Sequence, residues 1–281
     1  MSLQHHIGLG AEHLSGNEGL GRYVFLPGDP DRAGRIAEAF DFVEVVEGPR
    51  RFTAWLGRLA AEEGPPIDVL ALPSGIGGGS AEVVIHELME AGARRIVRVG
   101  SCGSSVPAIE PGGVVIATAA VRDDGASDDY AAPGFPAVAS PLALDAMRLG
   151  ALRAGHGEVT FLGVCHSKAT LYAREFGHGP AGQRNLERCS WLRRSGLVAS
   201  EMEAAILFVM TSARNAGAAQ PLAGGDPRLE HQAAAVLAVF ARDDSDMAVD
   251  PQVTRAAERR AIEVALEGVR AWSTVDRLAR R

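Results

Sequence analysis

Short runs of apolar residues alternate along the chain with longer segments in which apolar residues recur every three to four positions. The short runs predict buried strands, and the longer spacing predicts amphipathic helices. Strands are predicted at residues 22–26, 67–72, 95–100, 113–118, 159–164 and 235–241, and helices at residues 31–39, 79–92, 141–154, 201–216 and 251–270. This alternation predicts an α/β fold in which helices cover both faces of a largely parallel sheet.

The alternating pattern does not divide the chain into two units. A length of 281 residues is compatible with one α/β domain built around one large sheet, so we predict a single domain over residues 1–281. Residues 216–235 are rich in Ala, Gly and Pro and lie between a predicted helix and a predicted strand. We therefore expect an exposed insertion at residues 216–235.

Composition and charge narrow the classes of partner. The chain is 47% hydrophobic and only 5% aromatic, and 35 acidic against 28 basic residues give a formal net charge of −7. A net negative chain has no long-range attraction for nucleic acid or anionic lipid, so an anionic substrate needs a local arginine cluster. The three cysteines show no close pairing, and the sequence shows no apolar leader and no apolar run of membrane length. We therefore expect a cytoplasmic protein.

The first candidate anion site is the segment LPGDPDR at residues 26–32. A strand that ends at Pro27-Gly28 and feeds a helix near Asp31 places backbone N–H groups and a positive helix end together, with Arg32 in the first turn. This arrangement suits an anion. The alternative is a tight strand-to-helix turn in which Gly28 supplies an unusual dihedral angle and Arg32 is solvated.

A second candidate lies in RRIVRVGSCGS at residues 94–104, where Arg98 interrupts an otherwise apolar strand. A charged group bound for the core needs a partner. The arginine fork suits phosphate oxygens, and Ser101 adds a hydroxyl donor. The alternative is a structural ion pair with Glu44 or Glu47.

The glycine-rich segment at residues 72–92 indicates neither a dinucleotide cofactor nor a metal. Ser80 stands where a dinucleotide fingerprint needs its last glycine, and no ribose-binding acid follows at the expected distance. His86-Glu87 begins like a zinc-protease motif, but Glu90 replaces the second histidine. We therefore predict no metal site and no cofactor.

The segment LVASEMEAAILFVMTSA, residues 197–213, has two carboxylates immediately before an apolar helix. Glu201 and Glu203 flank Met202, and acidic residues at this position often serve only to cap a helix. Paired carboxylates also bind vicinal hydroxyl groups of sugars. If the arginines hold phosphate, Glu203 is well placed for a ribose.

Taken in order, LPGDPDR, GIGGGSAE, RVGSCG, VRDDGAS with FPAVAS, and ASEMEAA resemble the nucleoside phosphorylase family, which includes uridine phosphorylase and hexameric purine nucleoside phosphorylase. The resemblance runs from about residue 5 to residue 215. It implies phosphate-dependent cleavage of a nucleoside to free base and ribose 1-phosphate, with inorganic phosphate as co-substrate. It also implies a three-layer α/β/α sandwich with a mixed, partly barrel-like central sheet.

The resemblance assigns roles to individual positions. It implies that phosphate is bound by Gly28, Arg32, Arg98 and Ser101, with Arg50 reaching in from a neighbouring subunit. On the sugar side the family's ribose-binding residues match Met202, Glu203, the neighbouring Glu201 and, across a dimer interface, His6. Shared sites imply a homo-oligomer, either a dimer or a hexamer built as a trimer of dimers.

The base side departs from the family pattern in TLYAREFGHGPAGQRNLE. Leu171-Tyr172 occupies the aromatic position, Arg174 falls near the place of a base-reading glutamine, and Gln183-Arg184 comes several residues late. Either the loop is rebuilt with Gln183 and Arg184 serving the base, or uracil specificity is lost.

The residue that assists departure of the base is ambiguous as well. The stretch LAVFARDDSD puts Arg242 at the position of the acid of the purine branch, and a shift of one residue puts Asp243 there. With Arg242 in that position, the expected catalytic residues are Arg98, Glu203 and Arg242.

Residues 121–140 and WLRRSGLVASEMEAA resemble the uridine phosphorylase branch, so uridine is the expected substrate. The alternatives are a purine nucleoside phosphorylase with Asp243 as acid, a nucleosidase that uses water, and a non-catalytic nucleoside-binding protein. A hydrolase has no need of Arg32, Arg50 and Arg98 around its nucleophile, which argues against the nucleosidase.

Overall fold

A computed structural model describes residues 3–216, 230–242 and 250–279. The strands, in chain order, are β1 Tyr23–Leu26, β2 Asp41–Glu47, β3 Thr53–Leu59, β4 Ile67–Ala71, β5 Arg95–Ser104, β6 Val114–Asp123, β7 Ala137–Val138, β8 Thr160–Lys168, β9 Ala199–Glu201 and β10 Gln232–Arg242. The helices are α1 Ala11–Leu14, α2 Pro30–Ala37, α3 Gly78–Glu90, α4 Pro141–Arg153, α5 Leu171–Glu175, α6 Gly182–Arg194, α7 Ala204–Arg214 and α8 Pro251–Leu278.

All ten of these strands belong to one mixed sheet, in the order β10-β6-β8-β9-β5-β1-β4-β3-β2, with β7 paired to β6. Strand β10 also pairs with β5 in parallel from Gln232↔Arg95 onward. This second pairing joins β5, β10, β6, β8 and β9 into a closed five-stranded barrel, and β1, β4, β3 and β2 extend from it as an open wing. The mixed, partly barrel-like sheet implied by the family resemblance is confirmed.

Helices cover the sheet on both sides because each side presents a continuous apolar surface. One core contains the buried residues of α3 and α7, and the other contains those of α2, α4 and α8. Trp272 of α8 is fully buried in the second core, beside Tyr23 of β1. The result is the predicted three-layer arrangement.

The six predicted strands and five predicted helices all occur, with shifted ends. The strands at 95–100 and 113–118 continue to residues 104 and 123, and the last helix continues to residue 278. The helix expected from residue 201 begins at Ala204, because Glu201 ends β9 and accepts hydrogen bonds from the first amides of the helix. The hairpin of β2 and β3 is an addition, and its strand β2 is almost entirely exposed.

The insertion expected at residues 216–235 is partly outside the described residues, which exclude 217–229. At its far end, residues 232–235 form the start of β10 and are buried in the sheet, so the expected boundary is too long on that side. Among the described helices, none combines the length and the apolar character of a membrane span.

Candidate active site

A cavity of about 840 Å³ opens where several strands end. Gly28 follows β1, residues 100–103 lie in the last half of β5, Lys168 ends β8 and Arg242 ends β10, and all of them line the cavity. Ligands of α/β proteins commonly bind at the carboxyl ends of strands, where the chain leaves the sheet. The first residues after β9, Met202 and Glu203, complete the wall.

Arg32 lines one part of the cavity and is 4% exposed. Its Nη1 donates to the carbonyl oxygen of Val99 at 3.1 Å, its Nη2 lies 3.4 Å from Oε2 of Glu258, and its guanidinium lies 5.6 Å from the ring centroid of Phe240. Burial lowers the pKa of Arg32, while Glu258 opposes the shift. The interpretation of Arg32 as a solvated turn residue is therefore wrong. Its Nε has no acceptor among the described residues.

Arg98 is held between two carboxylates in the same cavity. Its Nε donates to Oε2 of Glu201 at 2.9 Å, and its Nη2 pairs with Glu203. Burial alone lowers the pKa of Arg98, but Glu203 and Glu201 outweigh burial and raise it. The predicted alternative partners, Glu44 and Glu47, are not its partners. The Nη1 of Arg98, like the Nε of Arg32, is buried without an acceptor among the described residues.

Gly100 explains how the Arg98 guanidinium fits. A Cβ atom at Gly100 would lie 2.7 Å from Nη2 and 2.9 Å from Cζ of Arg98, which is closer than non-bonded atoms tolerate. The glycine therefore leaves the space that the guanidinium occupies. Two buried guanidinium donors without acceptors in one cavity are costly unless an acceptor-rich ligand binds there, and an anion such as phosphate is such a ligand.

Glu203 lies beside the Arg98 guanidinium, at the start of α7. Its Oε1 accepts the backbone N–H of Gly77, and its Oε2 pairs with Arg98. Burial raises the pKa of Glu203 above its usual value, Arg98 opposes the shift, and Glu201 adds to it. A buried carboxylate of raised basicity is a strong acceptor for sugar hydroxyl groups.

Glu201 has a different environment. Its carboxylate accepts the N–H groups of Glu203 and Ala204 at 2.8 to 3.0 Å and the hydroxyl of Ser167, in addition to Arg98. The side chain is fully buried. Glu201 thus caps α7 and fixes both Arg98 and Glu203.

The cavity also contains residues that sequence reasoning missed. Lys168, Glu175, Phe176, Ser200 and Phe240 all line the cavity. Lys168 and Glu175 form a buried ion pair with 2.7 Å between Nζ and Oε2. Composition offers a signal for Lys168, because it is the one lysine among the 28 basic residues of the chain.

The structure brings most of the predicted residues together. The cavity is lined by Gly28, Arg32, Arg98, Ser101, Leu171, Glu201, Met202, Glu203 and Arg242. Arg242 also lies 3.7 Å from Glu110, and its neighbour Asp243, the alternative acid, is outside the described residues.

Six other predicted residues lie outside this cavity. His6 Nδ1 is 2.6 Å from Oε1 of Glu87, and Arg50 lies on the exposed turn between β2 and β3. Tyr172 is 63% exposed.

The three candidates for reading the base also lie elsewhere. Arg174 and Arg184 line a separate depression, where Arg174 lies 3.1 Å from Asp123. Gln183 donates to Glu187 on the outside of α6. In this geometry neither Arg174 nor the pair Gln183-Arg184 faces the space between Arg98 and Lys168.

The fold and the cavity define an α/β protein in which buried guanidinium donors lie beside buried carboxylates at the ends of strands. The chain belongs to the phosphorylase superfamily, whose family model matches residues 22–267. It is a pentosyltransferase of the nucleoside phosphorylase type.

Individual relatives agree with this assignment. The chain is 35% identical over 215 residues to the uridine phosphorylase of Treponema pallidum, a match that covers 75% of this chain and 77% of the relative. It is 40% identical over 130 residues to the uridine phosphorylase of Haemophilus influenzae, covering 46% and 48%. The crystal structure of the Vibrio fischeri uridine phosphorylase complexed with 6-hydroxy-1-naphthoic acid superposes with a TM-score of 0.75 at 25% identity, covering 96% of this chain and 97% of that one.

Proposed function

We propose that the protein catalyses the phosphorolysis of uridine to uracil and ribose 1-phosphate. The observation that carries this proposal is the pair of buried guanidinium donors, Arg32 Nε and Arg98 Nη1, which have no acceptor among the described residues. Both residues line the cavity, and Glu203 lies against Arg98. A phosphate ion satisfies both donors and stands next to the carboxylate that would hold the ribose.

The reaction divides between the two ends of the cavity. A phosphate oxygen forms a bond to C1′ of the ribose as the C1′–N bond breaks, and the electron pair of that bond leaves with the base, which then takes a proton. Arg32, Arg98, Ser101 and Gly28 hold the phosphate, and Glu203 with Met202 positions the ribose. Catalysis then consists mainly of placement and charge complementarity, and no cofactor is needed.

The choice of uridine rests on the relatives named uridine phosphorylase and on Arg242, which lines the cavity at the end of β10. Such an enzyme fits pyrimidine nucleoside breakdown in the cytoplasm. The purine alternative depends on Asp243, which is outside the described residues.

We further propose a homo-oligomer, a dimer or a trimer of dimers, in which Arg50 and His6 complete the cavity of a neighbouring subunit. This is supported by the position of Arg50 outside the chain's own cavity, on an exposed turn. The adjoining edge strand β2 carries exposed apolar side chains, with Phe42 82% and Val45 53% exposed.

The test is release of free base from uridine, thymidine, inosine and adenosine, each with and without inorganic phosphate. Phosphate-dependent release of uracil supports the proposal. Release of hypoxanthine or adenine instead points to the purine alternative, and release without phosphate points to a nucleosidase. Binding of nucleoside without any release identifies a non-catalytic binding protein and overturns the proposed reaction.

A further inference from the structure

The chain uses arginine at every basic position except one, and that exception lies in the cavity. Lys168 is the one lysine among 28 basic residues, it ends β8, and it is 3% exposed. Arginine is the easier cation to bury in an ion pair because its guanidinium is weakly hydrated and always charged. The presence of a lysine at this one buried position therefore indicates a role for its ammonium group that a guanidinium does not fulfil.

The order of the strands places Lys168 at the far side of the site. From β1, which is followed by Gly28 and then by α2 with Arg32, the sheet passes to β5 with Arg98, then to β9, and then to β8 with Lys168. Neighbouring strands are about 4.8 Å apart, so β8 lies roughly 14 Å from β1 along the sheet. Glu203 follows the intermediate strand β9. The sheet thus presents, in order, the anion site, the carboxylate for the ribose, and Lys168.

The Lys168 ammonium group is held firmly and keeps one donor. Its Nζ donates to Oε2 of Glu175 at 2.7 Å and to Oγ of Ser200. An ammonium group has three donors, and the third has no acceptor among the described residues. Ser200 in turn donates to Oε2 of Glu175 at 3.0 Å, and Arg193 donates to Oε1 at 2.9 Å. Lys168 and Glu175 thus stay in place without a ligand.

The surroundings suit a base. Leu171 and Phe176 line the cavity next to Lys168 and Glu175, and they offer apolar surface for a planar ring. Glu175 is contacted by two cations, Lys168 and Arg193, and Lys168 is the one of them that lines the cavity. A preorganised positive donor in a buried site stabilises negative charge that develops on a leaving group.

We infer that Lys168 contacts the base and donates a hydrogen bond to the carbonyl oxygen at the edge opposite the ribose, with Glu175 as its positioning residue. This inference rests on the proposed phosphorolysis. As the C1′–N bond breaks, its electron pair spreads over the base onto that oxygen, O4 of uracil, which the ammonium group stabilises until the base takes a proton. The class of substrate is then a nucleoside with an oxo group at that edge. Cytidine and adenosine present an amino group there, whose N–H donors face the ammonium group.

The test uses Lys168→Met, which keeps the length of the side chain and removes the charged donor, and Arg193→Met as matched control. Arg193 is the second cation on Glu175 but does not line the cavity. We measure kcat and kcat/KM at saturating phosphate for uridine and for 5-fluorouridine, whose base is the better leaving group. Lys168→Met should lower kcat on uridine by about 10²- to 10³-fold, the usual effect of losing one such donor, and should lower it less on 5-fluorouridine.

Arg193→Met should affect both substrates equally, because it acts on Glu175 and not on the base. The inference is overturned if Lys168→Met lowers kcat by the same factor on uridine and on 5-fluorouridine. It is also overturned if kcat on uridine stays within about threefold of wild type. The uridine-to-cytidine ratio of kcat/KM should fall towards one in Lys168→Met, and an unchanged ratio contradicts the role in selection. Lys168→Gln, whose amide still bonds Glu175 and Ser200, repeats the test if the methionine variant does not fold.

The wild-type protein separates the two proposals. If wild type releases no base in a phosphate-dependent way, the proposed function fails whatever the variants do. If wild type is active and the variants show no dependence on the leaving group, only the role of Lys168 fails. If wild type prefers inosine, the same selectivity comparison is made between inosine and adenosine, with the same outcomes.

Discussion

Replacing Arg98 by methionine should damage stability and phosphate binding together, because one guanidinium serves both. In the folded protein Arg98 lies between Glu201, whose side chain is fully buried, and Glu203, whose side chain is 7% exposed. Removing one partner of a buried ion pair typically costs about 3–5 kcal/mol, since the remaining charge is left uncompensated. Glu201 keeps its amide and hydroxyl donors, so we expect the low end of that range, about 3 kcal/mol near pH 7.5.

The loss should depend on pH in a defined direction. Burial already raises the pKa of Glu203 above its usual value, and Arg98 opposes that shift. Without Arg98 the pKa of Glu203 rises further, so its carboxyl group takes up a proton at a higher pH and the uncompensated charge disappears. The destabilisation of Arg98→Met relative to wild type should therefore be largest near pH 8 and should shrink as the pH falls towards 5.

The assay is urea unfolding at pH 5 and pH 8, with and without inorganic phosphate. Phosphate that binds only the folded state stabilises it by about 2.7 kcal/mol at one hundred times its dissociation constant. Wild type should show this stabilisation and Arg98→Met should lose most of it.

Arg95→Met is the matched control for that experiment. Arg95 lies on the same strand and is buried against Asp276, with 2.9 Å between Nε and Oδ2, but it does not line the cavity. This variant should also lose stability, yet keep the full effect of phosphate. The reasoning is refuted if Arg98→Met retains the stabilisation by phosphate, or if its loss of stability is the same at pH 5 and pH 8.

Three further predictions concern single residues. Glu203→Gln should lower kcat/KM for the nucleoside by about 10²-fold while the KM for phosphate stays within about threefold, because the neutral amide binds ribose hydroxyls more weakly. The measurement is steady-state kinetics with each substrate varied in turn. A rise in the KM for phosphate instead would contradict this prediction. Gly100→Ala should raise the KM for phosphate at least tenfold, because the new methyl group would lie 2.7 Å from Arg98 Nη2; an unchanged KM in a folded variant would show that the guanidinium has room to move. Burial lowers the pKa of His231 from 6.5 to about 4, with Arg214 adding to the shift, so the contribution of neutral His231 is complete above pH 6.5 and is lost as the pH falls towards 4. His231→Gln should therefore lose less stability than wild type between pH 7 and pH 5 in urea titrations, and parallel losses would count against the assignment.

The sequence predicted the Arg98 side of the cavity better than the Lys168 side, for a physical reason. Arg98 is visible in the sequence as a charge within an apolar strand, and such a charge demands a partner. Its partners are 103 and 105 residues further along the chain, and local pattern carries no information on contacts at that separation. The predicted ion pairs of Arg98 with Glu44 or Glu47 are therefore wrong, although the predicted need for a partner is confirmed.

The Lys168 side was harder because its residues come from elements that the pattern does not reveal. Strand β9 has three residues and helix α5 has five, too few for a hydrophobic period to be read. Strand β2 was missed for a related reason, since all but one of its residues are exposed and it has no buried face. Composition, unlike periodicity, points to this side of the cavity, because the single lysine of the chain lines it.

The closed barrel has a consequence for the timescale on which the site moves. Strand β5, which carries Arg98 and Ser101, is paired with β10, with β1 and, at its end, with β9. A strand hydrogen-bonded on both sides opens only with the larger unit, so its amide protons should exchange with solvent among the slowest in the molecule, whereas those of the edge strand β2 should exchange fast. Phosphate then meets donors that are already fixed, and the conformational entropy of ordering them is lost once, when the chain folds, and not at each turnover.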